Sequence, residues 1–185
     1  MNRIGTKRIE TERLILRRFE VSDAQDMFDN WASDPEVTKF LTWPAHSSVD
    51  VTKMLLEYWV SQYEKGDQFQ WAIVWKATGR VVGSIAVVKL IEEIDAAEIG
   101  YCLSRSLWGK GVMTEALKAV MNYLFSEAGL NRVSAAHDVR NPASGRVMEK
   151  AGMKLEGVWR QGGKNTMGVC DVVWRAALKS DFEKK

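Results

Sequence analysis

One short segment of the chain combines residue types and spacing that suit a phosphate-bearing ligand. Residues 108–114, which read WGKGVMT, lie between a predicted strand and the longest predicted helix. Gly109 and Gly111 allow positive φ angles and a close approach of the backbone to a ligand. The N–H groups of the following helical turn carry partial positive charge and suit a diphosphate, and Lys110 adds a full charge. The segment therefore predicts a phosphate site at a helix N-terminus.

The spacing of this segment differs from two common nucleotide-binding motifs. A Walker motif needs glycine five residues before Gly-Lys and a serine or threonine after it, and these positions are Ser104 and Gly111. A dinucleotide fingerprint needs a third glycine where the chain has Thr114. A glycine-rich helix entry that binds nothing is the alternative for this segment taken alone.

A second polar segment, residues 140–144 (RNPAS), follows the next predicted strand. By itself it predicts an ordinary helix start, with Asn141 as the N-cap and Pro142 at the first helical position. In a β-α-β-α unit with parallel strands, however, both segments lie at the carboxyl ends of the strands, where open α/β sheets bind ligands. We therefore expect the glycine loop, Asn141 and Ser144 to line one cleft.

Hydrophobic periodicity predicts a mixed α/β chain, an α+β fold with the element order β-α-α-β-β-β-α-β-α-β-β. Helices are predicted after capping boxes at Ser22 and Ser47, the first ending at Pro35, and over residues 114–128 and 142–151. A polar loop with Gly162, Gly163 and Gly168 is predicted to join the last two strands. Strands are predicted at residues 13–19, 71–75, 81–91, 97–103, 132–138, 153–160 and 169–178. About seven strands flanked by four helices would then form a single domain over residues 9–182.

Composition excludes several classes of protein. Twenty-six basic and twenty-four acidic side chains are too balanced for a nucleic-acid binder. No run of 18 apolar residues predicts a membrane span, and residues 1–8 do not resemble a secretion signal, so a cytoplasmic location is expected. Two isolated cysteines, Cys102 and Cys170, and two histidines predict neither a metal site nor a disulfide scaffold.

Several segments resemble the GNAT N-acetyltransferase superfamily. Residues 108–113 resemble its Q/R-x-x-G-x-G/A acyl-CoA pyrophosphate loop, with Trp108 at the Gln/Arg position and Met113 at the last Gly/Ala position. Residues 97–101 (AEIGY) resemble its fourth strand, and residues 141–153 resemble its N-x-x-S…EK-x-G-F segment. Residues 10–17 (ETERLILR) and 155–160 (LEGVWR), together with Asp171, resemble the Rim-type branch, which acetylates ribosomal-protein N-termini. The resemblance covers residues 9–182.

The resemblance implies a sheet that splays between its fourth and fifth strands and takes acetyl-CoA in the gap. The acetyl group would pass directly to a primary amine, with no metal, and a protein N-terminal amine is one candidate acceptor. The implied coenzyme-binding residues are Leu103, Trp108, Gly109, Lys110, Gly111, Val112, Met113, Thr114 and Asn141.

The catalytic residues that the resemblance implies differ between branches of the family. The tyrosine that protonates the thiolate in many GNAT enzymes is replaced by Met148, and the serine of the Rim-type branch corresponds to Ser144. Ser144 is therefore the candidate acid, with Tyr101 second. Glu98 is the candidate base, with His137 or ordered water as alternatives.

Three functional alternatives stay open at this point. The acceptor of an acetyl group could be a protein N-terminus, or a small amine or antibiotic, because one scaffold serves all of these. A non-catalytic acyl-CoA-binding module on the same fold is the third reading, since the usual tyrosine and the acidic residue expected near Gly163 are missing. We expect a monomer or homodimer with no nucleic-acid or membrane partner.

Overall fold

The computed structural model describes residues 1–182, which form one eight-stranded sheet with helices packed against it. The strands are β1 (Ile9–Glu10), β2 (Leu14–Arg17), β3 (Gln70–Trp75), β4 (Arg80–Ile91), β5 (Ala96–Leu103), β6 (Arg132–Asp138), β7 (Lys154–Asn165) and β8 (Gly168–Leu178). The α-helices are α1 (Ala24–Met27), α2 (Pro35–Thr38), α3 (Val49–Gln62), α4 (Val112–Ser126), α5 (Pro142–Lys150) and α6 (Lys179–Phe182). Within the described residues, no helix has the length and apolar character that crossing a membrane requires.

The sheet order is β1-β2-β3-β4-β5-β6-β8-β7, and β5 with β6 is its parallel pair. The other neighbouring strands in the described sheet pair antiparallel. Helix α4 connects the two parallel strands, as such a crossover requires. The predicted mixed α/β sheet is therefore confirmed.

The two parallel strands separate soon after they meet. Ala96, Ala97 and Glu98 of β5 pair with residues 132–134 of β6. Beyond this point β5 continues to Leu103 and β6 to Asp138, and no further pairing joins them in the described part of the chain. The resulting gap, which we call the wedge, opens toward the carboxyl ends of both strands. It confirms the predicted splay.

The structure has eight strands where seven were predicted. The additional strand, β1, has two residues and pairs with β2 at the edge of the sheet, so it is too short to show an alternating pattern. The predicted polar loop around Gly162 and Gly163 is wrong, because β7 runs through both glycines to Asn165. Pairing with β8 is interrupted between Trp159 and Gly163 and resumes at Gly163. A Cβ atom on Gly163 would lie 2.6 Å from a methyl carbon of Val172, so glycine permits this close pairing.

The helix starts also differ from prediction. The first helical segment begins after Glu20, whose N–H donates to Asp23 (2.8 Å), and not at a capping box on Ser22. The N-cap of α3 is Ser48, one residue after the predicted position. Pro35 does not end a helix but begins α2, where proline suits the first turn.

Apolar side chains pack on both faces of the sheet, and β5 contributes to each. Ala97, Ile99 and Leu103 belong to the core that also buries α4, whereas Cys102 packs against the cluster on the opposite face, which includes residues of α1 and α3. This alternation is the ordinary two-residue period of a strand. It places the end of β5 between the two layers of helices.

Candidate functional site

A cavity of about 360 Å³ opens at the wedge, between β5, α4 and α5. Four parts of the chain line it: α2 with the residues after it, the end of β5, the loop into α4, and α5. The lining residues are Glu36, Val37, Lys39, Phe40, Leu41, Tyr101, Cys102, Leu103, Leu107, Trp108, Gly109, Gly111, Val112, Met113, Thr114, Asn141, Ala143, Ser144, Arg146, Val147 and Lys150. Ten of the twelve residues predicted for the site are among them, and Glu98 and Lys110 are not.

The N-terminus of α4 forms one wall of the cavity. Gly109 and Gly111 both have φ of +75°, the left-handed region that glycine adopts without steric cost. Gly111 is the N-cap residue and has no side chain to accept a hydrogen bond from the first turn. The backbone N–H groups of Val112 and Met113 at the start of α4 therefore receive no hydrogen bond acceptor from an N-cap side chain. Such groups at a helix N-terminus can bind an anion.

The edge of β5 forms a second wall. Ser104 N–H donates to Val82 in the preceding strand (2.8 Å). Because hydrogen bonding alternates along an antiparallel strand, the N–H and C=O groups of Tyr101 and Leu103 point the other way, into the wedge. The Leu103 carbonyl is already hydrogen-bonded within the protein, because Nε1 of Trp108 donates to it (2.9 Å). A ligand would reach the N–H of Leu103 instead.

The two candidate acids meet in the cavity. The Tyr101 hydroxyl lies 2.9 Å from Ser144 Oγ, where either group can donate, and 3.1 Å from the Ser144 carbonyl. Burial raises the pKa of Tyr101 well above its usual value, and the hydrogen bond with Ser144 opposes this only in part. Both hydroxyls are therefore protonated at neutral pH and able to donate.

Asn141 holds the start of α5 in place beside them. Its side-chain oxygen accepts from the backbone N–H of Ser144 (3.3 Å), so the predicted N-cap is present. The residue also lines the cavity. This cap fixes the turn from which the Ser144 side chain reaches Tyr101.

Glu98, the candidate base, lies outside the cavity. It sits on β5 opposite Ser134, where the two strands are still paired and the wedge has not yet opened. Burial raises the pKa of Glu98, and the charge of Lys89 opposes the increase. The structure thus separates Glu98 from the Tyr101–Ser144 pair. Lys110 also lies outside, with its carbonyl bound by Arg13.

The end of β6 is occupied by contacts within the protein. The His137 ring packs on α5, where a Cβ atom on Gly145 would lie 2.5 Å from Nε2. The Arg140 guanidinium holds the pKa of Asp138 far below its usual range by hydrogen bonding to the carboxylate, which also accepts from Asn165 (2.7 Å). Neither His137 nor Asp138 lines the cavity.

Cys102 lines the cavity but is a poor nucleophile there. Burial raises the pKa of its thiol to about 12, and a hydrogen bond with the Ser84 backbone only partly offsets this. Cysteine reacts as the thiolate, which is scarce at neutral pH when the pKa is so high. Covalent catalysis through Cys102 is therefore disfavoured.

Sequence reasoning missed the wall formed by α2 and the residues after it. Glu36 and Lys39 line the cavity together with Phe40 and Leu41, and no motif in the sequence marks these four residues. The turn between β7 and β8 fixes this wall: Thr166 donates to the carbonyls of Leu41 (3.0 Å) and Lys39 (2.7 Å). Because these hydrogen bonds join residues more than 120 positions apart, no local sequence pattern indicates them.

Comparison with known proteins agrees with this geometry. The model of the GNAT acetyltransferase domain matches residues 13–154. The Uncharacterized N-acetyltransferase p20 of Bacillus licheniformis is 31% identical over 172 residues, covering 93% of this chain and 96% of that protein. The ribosomal protein uS5-alanine N-acetyltransferase of Escherichia coli strain K12 is 23% identical over 158 residues, covering 81% of this chain and 79% of that enzyme.

Similarity also extends to a solved structure with a bound coenzyme. RimL, described as a ribosomal L7/L12 alpha-N-protein acetyltransferase in complex with coenzyme A, superposes with a TM-score of 0.82 at 22% identity. The match covers 93% of this chain and 98% of RimL. The chain belongs to the GNAT acetyltransferase family and has relatives in its Rim-type branch. The protein is thus an N-acetyltransferase, an acyltransferase enzyme.

Proposed function

We propose that the enzyme uses acetyl-CoA and transfers the acetyl group by direct attack of a primary amine on the thioester. One observation carries the proposal: the uncapped first turn of α4 and the unpaired edge of β5 line the same cavity. The first suits a diphosphate. The second suits an extended chain with amide groups, which can add to a sheet edge as a strand does. Coenzyme A joins these two chemistries in one molecule.

In this proposal Gly109, Gly111, Val112, Met113 and Thr114 bind the diphosphate through the loop and the first turn of α4. The Leu103 N–H binds the amide-bearing arm between β5 and β6. Two cations of α5, Arg146 and Lys150, also line the cavity. Their positive charges would stabilise the phosphates of the coenzyme.

The reaction forms a C–N bond and breaks the C–S bond, so the departing sulfur carries negative charge. Ser144 Oγ is placed to donate a hydrogen bond to it, while the Tyr101 hydroxyl donates to Ser144 in turn. Backbone N–H groups of β5 stabilise the oxygen of the tetrahedral intermediate. The proton released by the amine leaves through ordered water, since Glu98 lies outside the cavity.

The acceptor enters on the side of α2. Of the lining residues within 1–182, Glu36 is the one that carries a carboxylate, and its side chain is 60% exposed. Lys39 Nζ lies 4.0 Å from this carboxylate and offsets part of its charge, and the remainder attracts an amine that arrives protonated. We propose a protein N-terminal amine as the acceptor, which the acceptors named for the Escherichia coli enzyme and for RimL support.

The test is a thiol-release assay with acetyl-CoA and three panels of amines: N-terminal peptides, polyamines and aminoglycosides. We expect release with the peptides and retention of activity when exposed Ser22 is changed to alanine. Release with a polyamine or aminoglycoside alone would instead assign a small-molecule acceptor. The absence of release with every amine, despite binding of acetyl-CoA, would contradict the proposed reaction.

Glu36→Gln tests the acceptor side separately. Because a surface carboxylate attracts a cation by at most about 1 kcal/mol, we expect the KM for the amine to rise by no more than about fivefold. The KM for acetyl-CoA should not change, since Glu36 belongs to α2 and not to the loop or helix proposed to bind the diphosphate. Glu57→Gln, on the exposed face of α3, is the matched control. An equal rise for both substrates would remove Glu36 from the acceptor site.

A further inference from the structure

Arg13, at the start of β2, binds the loop that precedes α4. Its Nη1 donates to the carbonyl oxygen of Lys110 (2.9 Å), and its Nε donates to Oε2 of Glu115 (2.6 Å). The other carboxylate oxygen of Glu115 accepts from Thr11 Oγ1 (2.6 Å) and from the Arg13 backbone N–H (3.0 Å). These contacts attach the first turn of α4 to the opening strands of the sheet.

The contact with Lys110 orients one peptide group. A trans peptide is planar, so the C=O of Lys110 and the N–H of Gly111 point in opposite directions. Gly111 lines the cavity, whereas Arg13 does not. The carbonyl therefore points toward Arg13 behind the loop, and the Gly111 N–H points to the other side, where the cavity lies.

Glycine alone does not fix this orientation. Gly111 adopts φ of +75°, and a glycine in that position tolerates several backbone conformations of similar energy. Rotation of the Lys110–Gly111 peptide would turn the carbonyl oxygen, and its partial negative charge, toward the cavity. The hydrogen bond from Arg13 opposes this rotation.

Arg13 also offsets a charge that would repel the ligand. Glu115 lies in the first turn of α4, where a carboxylate stabilises the helix but repels a diphosphate. Burial by itself would raise the pKa of Glu115, but the hydrogen bonds from Thr11 and Arg13 and the Arg13 charge lower it. Glu115 is thus ionised, with its charge directed to Arg13 and away from the cavity.

We propose that Arg13 is a positioning residue for diphosphate binding. By holding the Lys110 carbonyl behind the loop, it keeps the Gly111 N–H directed at the coenzyme. This inference rests on the proposed function, because it presupposes that the loop binds the diphosphate of acetyl-CoA. It assigns a role to the ETER segment, residues 10–13, on which the resemblance to the Rim-type branch partly rests.

The test compares Arg13→Gln and Arg13→Lys with the unchanged enzyme. Calorimetry with coenzyme A should show about a tenfold loss of affinity for both variants, the usual effect of losing a hydrogen bond that supports a charged ligand. Lysine keeps the charge but lacks the planar fork by which two separate nitrogens of Arg13 reach Lys110 and Glu115, so it should not restore binding. Acetyl-pantetheine, a thioester without phosphate, should react with kcat/KM unchanged within about twofold.

Arg80→Gln is the matched control, because Arg80 also binds a carboxylate, Asp26 (2.8 Å), and does not line the cavity. It should bind coenzyme A normally. Unchanged affinity of Arg13→Lys for coenzyme A would overturn the inference, because a positive charge at position 13 would then be sufficient. Equal losses of kcat/KM with acetyl-CoA and acetyl-pantetheine would show that Arg13 acts only on folding. Failure of the unchanged enzyme to bind coenzyme A would overturn the proposed function, and this inference with it.

Discussion

Helices α4 and α5 both follow the strands that border the wedge, but their N-termini are built differently. At α5, Asn141 caps the first turn through the Ser144 N–H (3.3 Å), and Pro142 has no N–H to satisfy. At α4, Gly111 precedes the helix and offers no side chain. In α5 a side chain of the protein thus binds an N–H group of the first turn. In α4 no N-cap side chain does so, and the N–H groups of the first turn are left for a ligand.

The difference divides the chemistry of the cavity between backbone and side chains. At α4 the backbone N–H groups are the functional groups, and the side chains of Val112 and Met113 are buried in the core. At α5 the backbone is engaged by its own cap, so the turn can present the Ser144 hydroxyl to Tyr101. The N-terminus of α4 can thus bind an anion, while the N-terminus of α5 presents the hydroxyl that donates to the leaving group.

Gly111→Asp should have the largest effect, because it gives α4 the kind of cap that α5 has. The new carboxylate would accept from the first turn and would repel a diphosphate at the same place. We expect about a hundredfold loss of affinity for acetyl-CoA by calorimetry, from one lost hydrogen-bonding position and one added charge. The free energy of unfolding should change by about 1 kcal/mol or less, since the new cap and the strain of φ at +75° oppose each other.

Gly79→Asp is the matched control, because Gly79 also has positive φ (+70°) but lies in the β3–β4 turn. This variant should carry a similar strain without loss of coenzyme affinity. Normal acetyl-CoA binding by Gly111→Asp would remove the N-terminus of α4 from the site and end the contrast with α5.

Ser144→Ala should have the next largest effect, and it should lower the rate of acetyl transfer and not the affinity for acetyl-CoA. Loss of a hydroxyl that donates to the departing sulfur should lower kcat by about tenfold to a hundredfold with little change in either KM. Tyr101 remains nearby and limits the loss. Because Asn141 still caps the backbone of residue 144, thermal unfolding should be unchanged. A lower unfolding temperature with unaltered kcat would assign Ser144 to the helix start alone.

Asn141→Ala should have the smallest effect on the coenzyme. Removal of the cap should lower the free energy of unfolding by about 1 kcal/mol, the usual cost of losing an asparagine N-cap. Affinity for acetyl-CoA should stay within about threefold by calorimetry, because α5 binds its own amides. A tenfold loss of affinity with unchanged stability would show that Asn141 contacts the coenzyme directly, as the family resemblance implied.

Local patterns in the sequence predicted most of the fold. Apolar and β-branched runs predicted β3 and β4 within one residue, and β6 was predicted with its exact bounds. The apolar stripe of α4 predicted its start within two residues. Patterns failed where a side-chain contact outside the pattern overrides them. Arg17 binds Asp23 (2.7 Å) and displaces the first helix start, and Val172 packs on Gly163 so that a strand continues where a loop was predicted.

The candidate site divides in the same way. The resemblance to the GNAT family selected the glycine loop, Tyr101 and Ser144, and each lines the cavity. It also selected Glu98, which the register of β5 with β6 leaves beyond the closed end of the wedge. Glu36 was not selected, because only the contact of Thr166 with Lys39 and Leu41 shows that the residues after α2 form a wall of the cavity.

The sequence by itself determined the elements, the glycine loop and the start of α5, because helix caps, strand periods and glycine conformations depend on residues close together in the chain. Only the tertiary structure decided which groups share the cavity and how the loop is oriented. Arg13 and Glu115 lie 102 positions apart, and Tyr101 and Ser144 lie 43 apart. Contacts over such separations depend on how the sheet splays and how its helices pack, and no local pattern encodes that geometry.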